Sequence, residues 1–240
     1  SGAVGGAVVV GDLADGQLGR GEQLVDGDEV PEEPEYALVR EGREAAALVV
    51  GARGRGGIAE FLLGSVSLGV AAYATCPVVV LRGHPDGQPR PATHGRILLG
   101  VGEEAHGAEA VRFAFEEADR RGAVLEAVRA WRCPAHETTD HPLLAGEPAR
   151  LHEQQAAETL EAALDEVAAQ YPTVRVRRRT AEGPARKVLL DASPHADLLV
   201  VGARRRPEHR VGLQLGRIAH TALHHAACPV AVVPHRAHDD

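Results

Sequence analysis

Three glycines and one serine are the residues of this sequence best suited to chemistry. They are Gly51, Gly54, Gly64 and Ser65. A strand-like apolar run at residues 47–50 leads into them, and a helix-compatible segment at residues 66–72 follows. Glycine lets a backbone approach a ligand closely, and the amide groups at a helix N-terminus favour an anion. The order of strand, glycine-rich loop and helix therefore predicts a loop that holds phosphate groups.

The spacing of these residues excludes two common phosphate-binding motifs. It does not match the G-x-G-x-x-G of dinucleotide sites, and no Gly-Lys-Ser/Thr of a Walker loop occurs. The pattern G-x2-G-x9-G-S, followed by a helix and the run CPVVVL at residues 76–81, resembles the ATP-binding signature of the universal stress protein family. The alternative is a glycine loop that only turns the chain, although a turn needs fewer fixed glycines.

The signature occurs twice, the second time in altered form. The repeated blocks are residues 47–53 with 198–204, and residues 76–81 with 228–233. The third glycine survives as Gly216, but Arg205 replaces the second glycine and Arg217 replaces Ser65. An internal repeat of this kind indicates two copies of one fold. The resemblance to the family covers both copies, from about residue 40 to residue 234.

Residues 94–240 show the alternation of strands and helices that is typical of a doubly wound sheet. Apolar strand-like runs begin near Arg96 and Val124, and segments with helical periodicity lie between the strand-like runs. Such alternation favours a parallel sheet. The sequence therefore predicts an α/β protein with two tandem doubly wound parallel five-stranded sheets. The family resemblance makes this fold adenine-nucleotide alpha-hydrolase-like.

The repeat also predicts the domain boundaries. The expected units are a first domain, a linker and a second domain, at residues 1–83, 84–93 and 94–240. The first copy is short, because 40 positions separate Gly11 from Gly51 whereas 102 separate Gly100 from Gly202. It is therefore expected to be incomplete, without room for one strand and two helices. Either the domain is truncated or segments of its sequence have been left out, which the absence of methionine favours.

The family resemblance implies an ATP site in the first copy, with Mg²⁺ as a companion of the nucleotide. The implied contact residues are Asp12, Gly51, Arg53, Gly54, Gly64, Ser65, Val66 and Ser67. Asp12 follows the apolar run at residues 7–10, the expected strand one, and would bond the adenine–ribose end. Ser65 would both cap the helix and donate to a phosphate. In the second copy Gly102 stands where the aspartate would be, so we expect weaker ATP binding there.

Composition and charge exclude several classes of protein. A net charge of −8 argues against a nucleic-acid partner, which needs a basic face. No apolar run approaches the ~20 residues of a membrane span, and three cysteines supply no disulfide framework. His220, His224 and Cys228 have the spacing of a metal site, but the first copy lacks both histidines at these positions, so we expect no metal. We expect a cytoplasmic protein without a membrane partner.

Two functions remain open. The first is an ATP-binding tandem universal stress protein that acts as a nucleotide-responsive stress sensor or adaptor. No enzymatic activity beyond slow ATP hydrolysis is expected, because the sequence has no G-x-S-x-G elbow or catalytic triad. The alternative is a structural or partner-binding stress protein that binds no nucleotide. The intact first loop favours ATP.

The last strand of each copy predicts how the copies assemble. Residues 78–81 and 230–233 would be short apolar edge strands, whose unpaired backbone groups favour pairing. The resemblance implies that these strands meet across a pseudo-two-fold axis. We therefore expect the copies to pack against each other within one chain, and two chains to associate as a homodimer. A proline at Val79 is expected to remove a backbone donor from the contact between the copies.

Overall fold

The part of the chain that the computed structural model describes contains eight strands, six α-helices and one short 3-10 helix, Ser193–His195. This part comprises residues 9–10, 34–51, 63–81, 93–102, 107–134, 147–204 and 215–235. The strands are β1 (Val9–Val10), β2 (Leu48–Gly51), β3 (Val78–Leu81), β4 (Arg96–Gly100), β5 (Val124–Trp131), β6 (Val176–Glu182), β7 (Leu198–Arg204) and β8 (Val230–His235). The helices are α1 (Pro34–Glu41), α2 (Ser65–Tyr73), α3 (Ala108–Arg121), α4 (Glu147–Ala168), α5 (Ala185–Ala192) and α6 (Arg217–His225). All eight strands belong to one sheet, in the order β1-β2-β3-β8-β7-β4-β5-β6.

The second copy forms a complete doubly wound sheet. Its strands β4 to β8 run parallel, in the order β6-β5-β4-β7-β8. Helices α3 and α4 cover one face, where Phe115 and Leu160 pack in one cluster with Ile97 of β4. Helices α5 and α6 cover the other face, where Leu189 and Leu223 belong to the cluster of Leu98. The predicted α/β class and the five parallel strands of this copy are confirmed.

Strand β4 shows how the sequence positions the centre of this sheet. Residues 97–99 are all buried, because a parallel sheet is covered on both faces and its strands are continuous apolar runs. The carboxylate of Asp197 accepts hydrogen bonds from the amides of His94 (2.7 Å) and Arg96 (3.0 Å), which fixes the start of β4 beside β7. Strand order reverses between β4 and β7, where ligands of such sheets bind beyond the carboxyl ends.

The described residues of the first copy show the last four elements of the same pattern. Its elements α1, β2, α2 and β3 correspond in sequence position to α5, β7, α6 and β8. The amide of Leu48 donates to the carbonyl of Pro77 (2.8 Å), just as the amide of Leu199 donates to Pro229 (2.9 Å). Within the described residues this copy contributes the two parallel strands β2 and β3.

The apolar run at residues 7–10 is expected to form strand one of a parallel sheet. Its described part is β1, which pairs antiparallel with β2 and places Val10 opposite Leu48. A strand one would run parallel to β2, as β4 runs parallel to β7. Because β1 runs the other way, its carboxyl end lies beside the amino end of β2, away from Gly51. The prediction for this run is therefore wrong.

The last strands of the two copies pair with each other, which confirms the predicted contact within the chain. Strands β3 and β8 are antiparallel, with Val78 opposite Val232 and Val80 opposite Val230. Buried residues of α2 and α6 belong to one apolar cluster on a single face of the sheet. The backbone groups that an isolated copy would expose on its last strand are thereby satisfied.

The longest described helix, α4, is amphipathic. Leu160 and Leu164 are buried against the sheet, while Glu161 and Asp165 lie on its exposed side. None of the helices in the described part of the chain combines the length and the apolar character that crossing a membrane requires.

Candidate functional site

The candidate site lies between the end of β2 and the start of α2. Gly51 ends β2 and is exposed, and Leu63 is the first described residue before the helix. Arg53 and Gly54 lie outside the described residues, as does Asp12. The structure therefore describes the two ends of the loop, and the contacts expected of these three residues stay predictions.

The N-terminus of α2 has the backbone geometry of an anion site. Gly64 precedes the helix with φ −64° and ψ 146°, and its carbonyl accepts the first helical hydrogen bond, from the amide of Leu68 (3.0 Å). The amides of the three residues after Gly64 therefore have no acceptor within the helix. Glycine has no side chain, so Gly64 provides no side-chain acceptor for these amides. These amides and the helix dipole favour a negatively charged ligand.

Ser65 does not cap α2, so that part of its predicted role is wrong. The capping position belongs to Gly64, and Ser65 is the first residue of the helix itself. A capping side chain must come from the residue before the helix, because only there does it reach the first amides. Ser65 is exposed, so its hydroxyl can still donate to an anion at the helix N-terminus.

Ser67 has a partner that the sequence did not reveal. Its side chain is buried, and its Oγ donates a hydrogen bond to the carbonyl of Gly51 at 2.7 Å. This bond ties the end of β2 to the first turn of α2, across the ends of the glycine loop. The proton of Ser67 is therefore used within the protein. Val66 beside it is half-buried and packs against the core, so at this position the amide is the group suited to a ligand.

The second copy repeats this backbone with different side chains. Gly216 precedes α6 with φ −61° and ψ 156°, and its carbonyl accepts the first helical hydrogen bond at 3.0 Å. Arg217, which is exposed, replaces Ser65, and Ala219, which is buried, replaces Ser67. The second copy therefore keeps the helix N-terminus and lacks both hydroxyl groups.

Sequence reasoning missed Arg129 in the second copy. This residue lies near the carboxyl end of β5, and its Nη1 donates a hydrogen bond to the carbonyl of Gly102, just beyond β4. Gly102 stands where the family resemblance would place the ligand-binding aspartate. A cation is thus found beside a position at which the resemblance expects a carboxylate. The local signal for Arg129 was a charged residue within an otherwise largely apolar strand.

The two histidines of the possible metal motif lie in helix α6, and the repeated cysteines lie in the core. The rings of His220 and His224 lie with their centroids 4.5 Å apart, while Cys228 is buried in the core. No three His, Cys, Asp or Glu side chains of the described residues are placed to hold a metal ion. Cys76, the counterpart of Cys228, is also buried, and burial raises the pKa of its thiol. Both cysteines pack as small apolar residues.

A doubly wound sheet with a repeated strand, glycine loop and helix defines a tandem α/β protein. The sequence model of the universal stress protein family matches residues 17–82 and 93–234. The chain therefore belongs to the universal stress protein family, with two family domains in tandem, and the resemblance carried by the glycine loops is confirmed.

Similar proteins support this assignment. One universal stress protein of Mycobacterium tuberculosis is 35% identical over 220 residues, which are 91% of this chain and 70% of the relative. Another from the same species is 31% identical over 215 residues, which are 90% of this chain and 70% of the relative. A solved universal stress protein from Archaeoglobus fulgidus has a TM-score of 0.58 at 18% identity, covering 84% of this chain and 67% of that one. The last likeness shows the fold alone.

Proposed function

We propose that this chain binds ATP at the loop between β2 and α2 and acts as a nucleotide-responsive stress sensor or adaptor. The observation that carries the proposal is the N-terminus of α2. Its first amides have no acceptor within the helix, and the exposed Ser65 and the exposed end of β2 at Gly51 flank the same loop. Several donors around one loop suit a ligand with several anionic oxygens, such as a triphosphate.

Each residue of the loop has a distinct part in this proposed site. The hydroxyl of Ser65 and the amide of Val66 would donate to phosphate oxygens, and Mg²⁺ would enter as a complex with the nucleotide. Ser67 would act indirectly, because its hydrogen bond to Gly51 holds the two ends of the loop together. Arg53 and Gly54 would complete the loop between these ends. Asp12 lies outside the described residues, so its proposed contact with the adenine–ribose end stays a prediction.

The described ends of the loop favour binding over catalysis. Residues 50–51 and 63–68 include no carboxylate, imidazole or thiol that could activate a water molecule. A role as sensor or adaptor in the cytoplasm, with at most slow ATP hydrolysis, is therefore the better proposal. The second copy would bind ATP more weakly, since Arg217 and Ala219 replace both hydroxyl residues.

Two matched substitutions in the full chain, Gly64→Asp and Gly216→Asp, test the proposed site. Both glycines have an extended backbone that aspartate adopts without strain. Aspartate is a better capping residue than glycine by roughly a few tenths of a kcal/mol, so neither change should unfold the chain. Its carboxylate would take up the helix amides and repel phosphate. In calorimetric titration Gly64→Asp is expected to abolish the main ATP binding event, whereas Gly216→Asp should leave it unchanged.

The same titration separates the two candidate functions. Equal ATP affinity of the unmodified chain and Gly64→Asp would overturn the proposed site. An unmodified chain that binds no ATP would favour the partner-binding stress protein that needs no nucleotide. The second copy gives that alternative its support, because its fold forms around Arg217 and Ala219 without the two hydroxyl groups.

A further inference from the structure

Strand β6 ends the sheet on the side of the second copy. Among the described strands it pairs only with β5, along Val176–Glu182. The carbonyl of Arg175 accepts a hydrogen bond from the amide of Leu125 (3.0 Å), and the amide of Gly183 donates to the carbonyl of Trp131 (2.8 Å). In a parallel ladder alternate residues direct both backbone groups to the same neighbour. The odd-numbered residues of β6 therefore bond β5, and the even-numbered ones direct their amides and carbonyls to the open side.

Three exposed arginines alternate along one face of β6 and of the residue that precedes it. They are Arg175, Arg177 and Arg179, and we call them the arginine edge. Glu126 of β5 is largely buried and pairs with Arg179 (3.1 Å) and with Arg96 of β4 (2.9 Å). One carboxylate thus faces several guanidinium groups on this face. The local charge is positive, although the chain as a whole carries a net charge of −8.

On the opposite face of β6, carboxylates of a neighbouring helix neutralise the arginine charge, which is not so at the arginine edge. There Arg178 pairs with Glu161 of α4 (2.7 Å) and lies 3.7 Å from Asp165 of the same helix. Helix α4 thus supplies the counter-charges for that face. On the other face the described counter-charge is Glu126, which Arg96 and Arg179 already share.

We propose that β6 is a docking edge for an acidic, extended segment of a partner protein, which adds to the sheet as a strand beside β6. The unpaired amides and carbonyls of the even-numbered residues would form the ladder. Carboxylates at alternate positions of the segment would face the arginine edge, since opposite charges on neighbouring strands attract. Two copies of the same edge would repel each other, which excludes self-pairing. This surface is separate from the nucleotide site, because β6 and β2 lie near opposite ends of the sheet.

A short capped peptide with glutamate at alternate positions, and valine or threonine between them, is the probe. Fluorescence anisotropy with the full chain is expected to show binding that weakens as salt is added. Arg177→Glu should weaken it by roughly tenfold or more, because attraction between this exposed arginine and the peptide carboxylates is replaced by repulsion. The matched control is Arg112→Glu, which makes the same charge change at an exposed position on α3 and should leave affinity unchanged. Equal affinity of Arg177→Glu and the unmodified chain would overturn the proposal.

Strand addition is distinguished from simple charge attraction at Thr180. Its amide is directed to the open side, so Thr180→Pro removes a donor to the peptide without removing a bond to β5. Thr180→Val keeps the amide and serves as the control. We expect Thr180→Pro to lose peptide binding and Thr180→Val to keep it, with thermal melts confirming that both fold. Unchanged binding by Thr180→Pro would show attraction by charge alone and exclude the added strand.

Hydrogen exchange gives a readout that does not depend on any variant. When the peptide binds, exchange of the amides of Arg178 and Thr180 is expected to slow, because these amides become bonded. The amides of Arg177 and Arg179 already face β5 and should not change. Uniform slowing, or none, would contradict the proposed ladder.

Discussion

Val79 of β3 lies directly opposite Ala231 of β8, and each occupies the same position in its own copy of the repeat. Beside this pair, Val78 lies opposite Val232, which is the counterpart of Val80. A residue on one side of the Val79–Ala231 pair therefore lies opposite the repeat counterpart of the residue on the other side. The pair marks a pseudo-two-fold axis, about which a complete second copy and a shorter first copy form one sheet.

The register decides which amides join the two copies. The carbonyl of Pro77 faces β2, because it accepts from the amide of Leu48. By strand alternation Val79 also directs its backbone groups to β2, whereas Val80 directs its groups to β8. A proline at Val79 would break a bond within the first copy, so the expectation that it removes a donor from the contact between the copies is wrong.

Val80→Pro is the substitution that tests the junction. It removes an amide that bonds β8, at a side chain that is 1% exposed. We expect β3 to separate from β8, after which amides of β2, β3 and α2 exchange quickly while those of β4 and β5 stay protected. Val80→Ala, which keeps the amide, should preserve the junction. Unchanged protection of β3 in Val80→Pro would show that the copies are held together by other contacts.

Ser67→Ala should affect both stability and nucleotide binding. The substitution removes the 2.7 Å hydrogen bond to Gly51 and leaves its carbonyl without this donor. We expect the free energy of unfolding in urea to fall by about 1–2 kcal/mol. ATP affinity should fall as well, because the loop ends are no longer tied. Ser67→Thr retains the hydroxyl and is expected to restore both; a threonine variant as weak in ATP binding as the alanine one would contradict the positioning role.

Burial of Cys76 predicts a loss of stability at alkaline pH. Burial raises the pKa of its thiol above the ordinary value of 9.0, so the folded chain favours the neutral thiol more than the unfolded chain does. The resulting stability is fully present below pH 9.0 and is lost as the pH rises from there through the raised pKa. The free energy of unfolding, measured in urea, should therefore fall more steeply above this pH for the unmodified chain than for Cys76→Ala. Parallel pH profiles would exclude this contribution.

The altered second loop predicts one strong ATP site per chain. Without the middle glycine and the serine, we expect the second copy to bind ATP roughly tenfold more weakly or worse, since the glycine lets the backbone approach the phosphates closely and the serine supplies a hydroxyl donor at the helix N-terminus. Restoring the pattern with Arg205→Gly and Arg217→Ser should raise the calorimetric stoichiometry towards two. Two sites of equal affinity in the unmodified chain would refute this expectation.

Local pattern and repetition were enough to predict much of the fold and part of the site. Alternating strands and helices in residues 94–240 indicated the five-stranded parallel sheet, because apolar periodicity reports directly which faces are buried. The repeated Cys-Pro strands identified the last, edge strand of each copy, and the family resemblance implied that β3 pairs with β8. The glycine before each helix, at Gly64 and Gly216, was visible as a motif because its effect is confined to the adjacent turn.

Other features depend on distant residues and appeared only in the tertiary structure. The direction of β1 is set by its contact with β2, and two valines carry no information about it. Ser67 and Gly51 are 16 positions apart, and Arg129 and Gly102 are 27 apart. The type of a polar residue states what it can donate or accept. Which group receives the bond depends on what the packed elements bring within about 3 Å of it, and no local spacing encodes that distance.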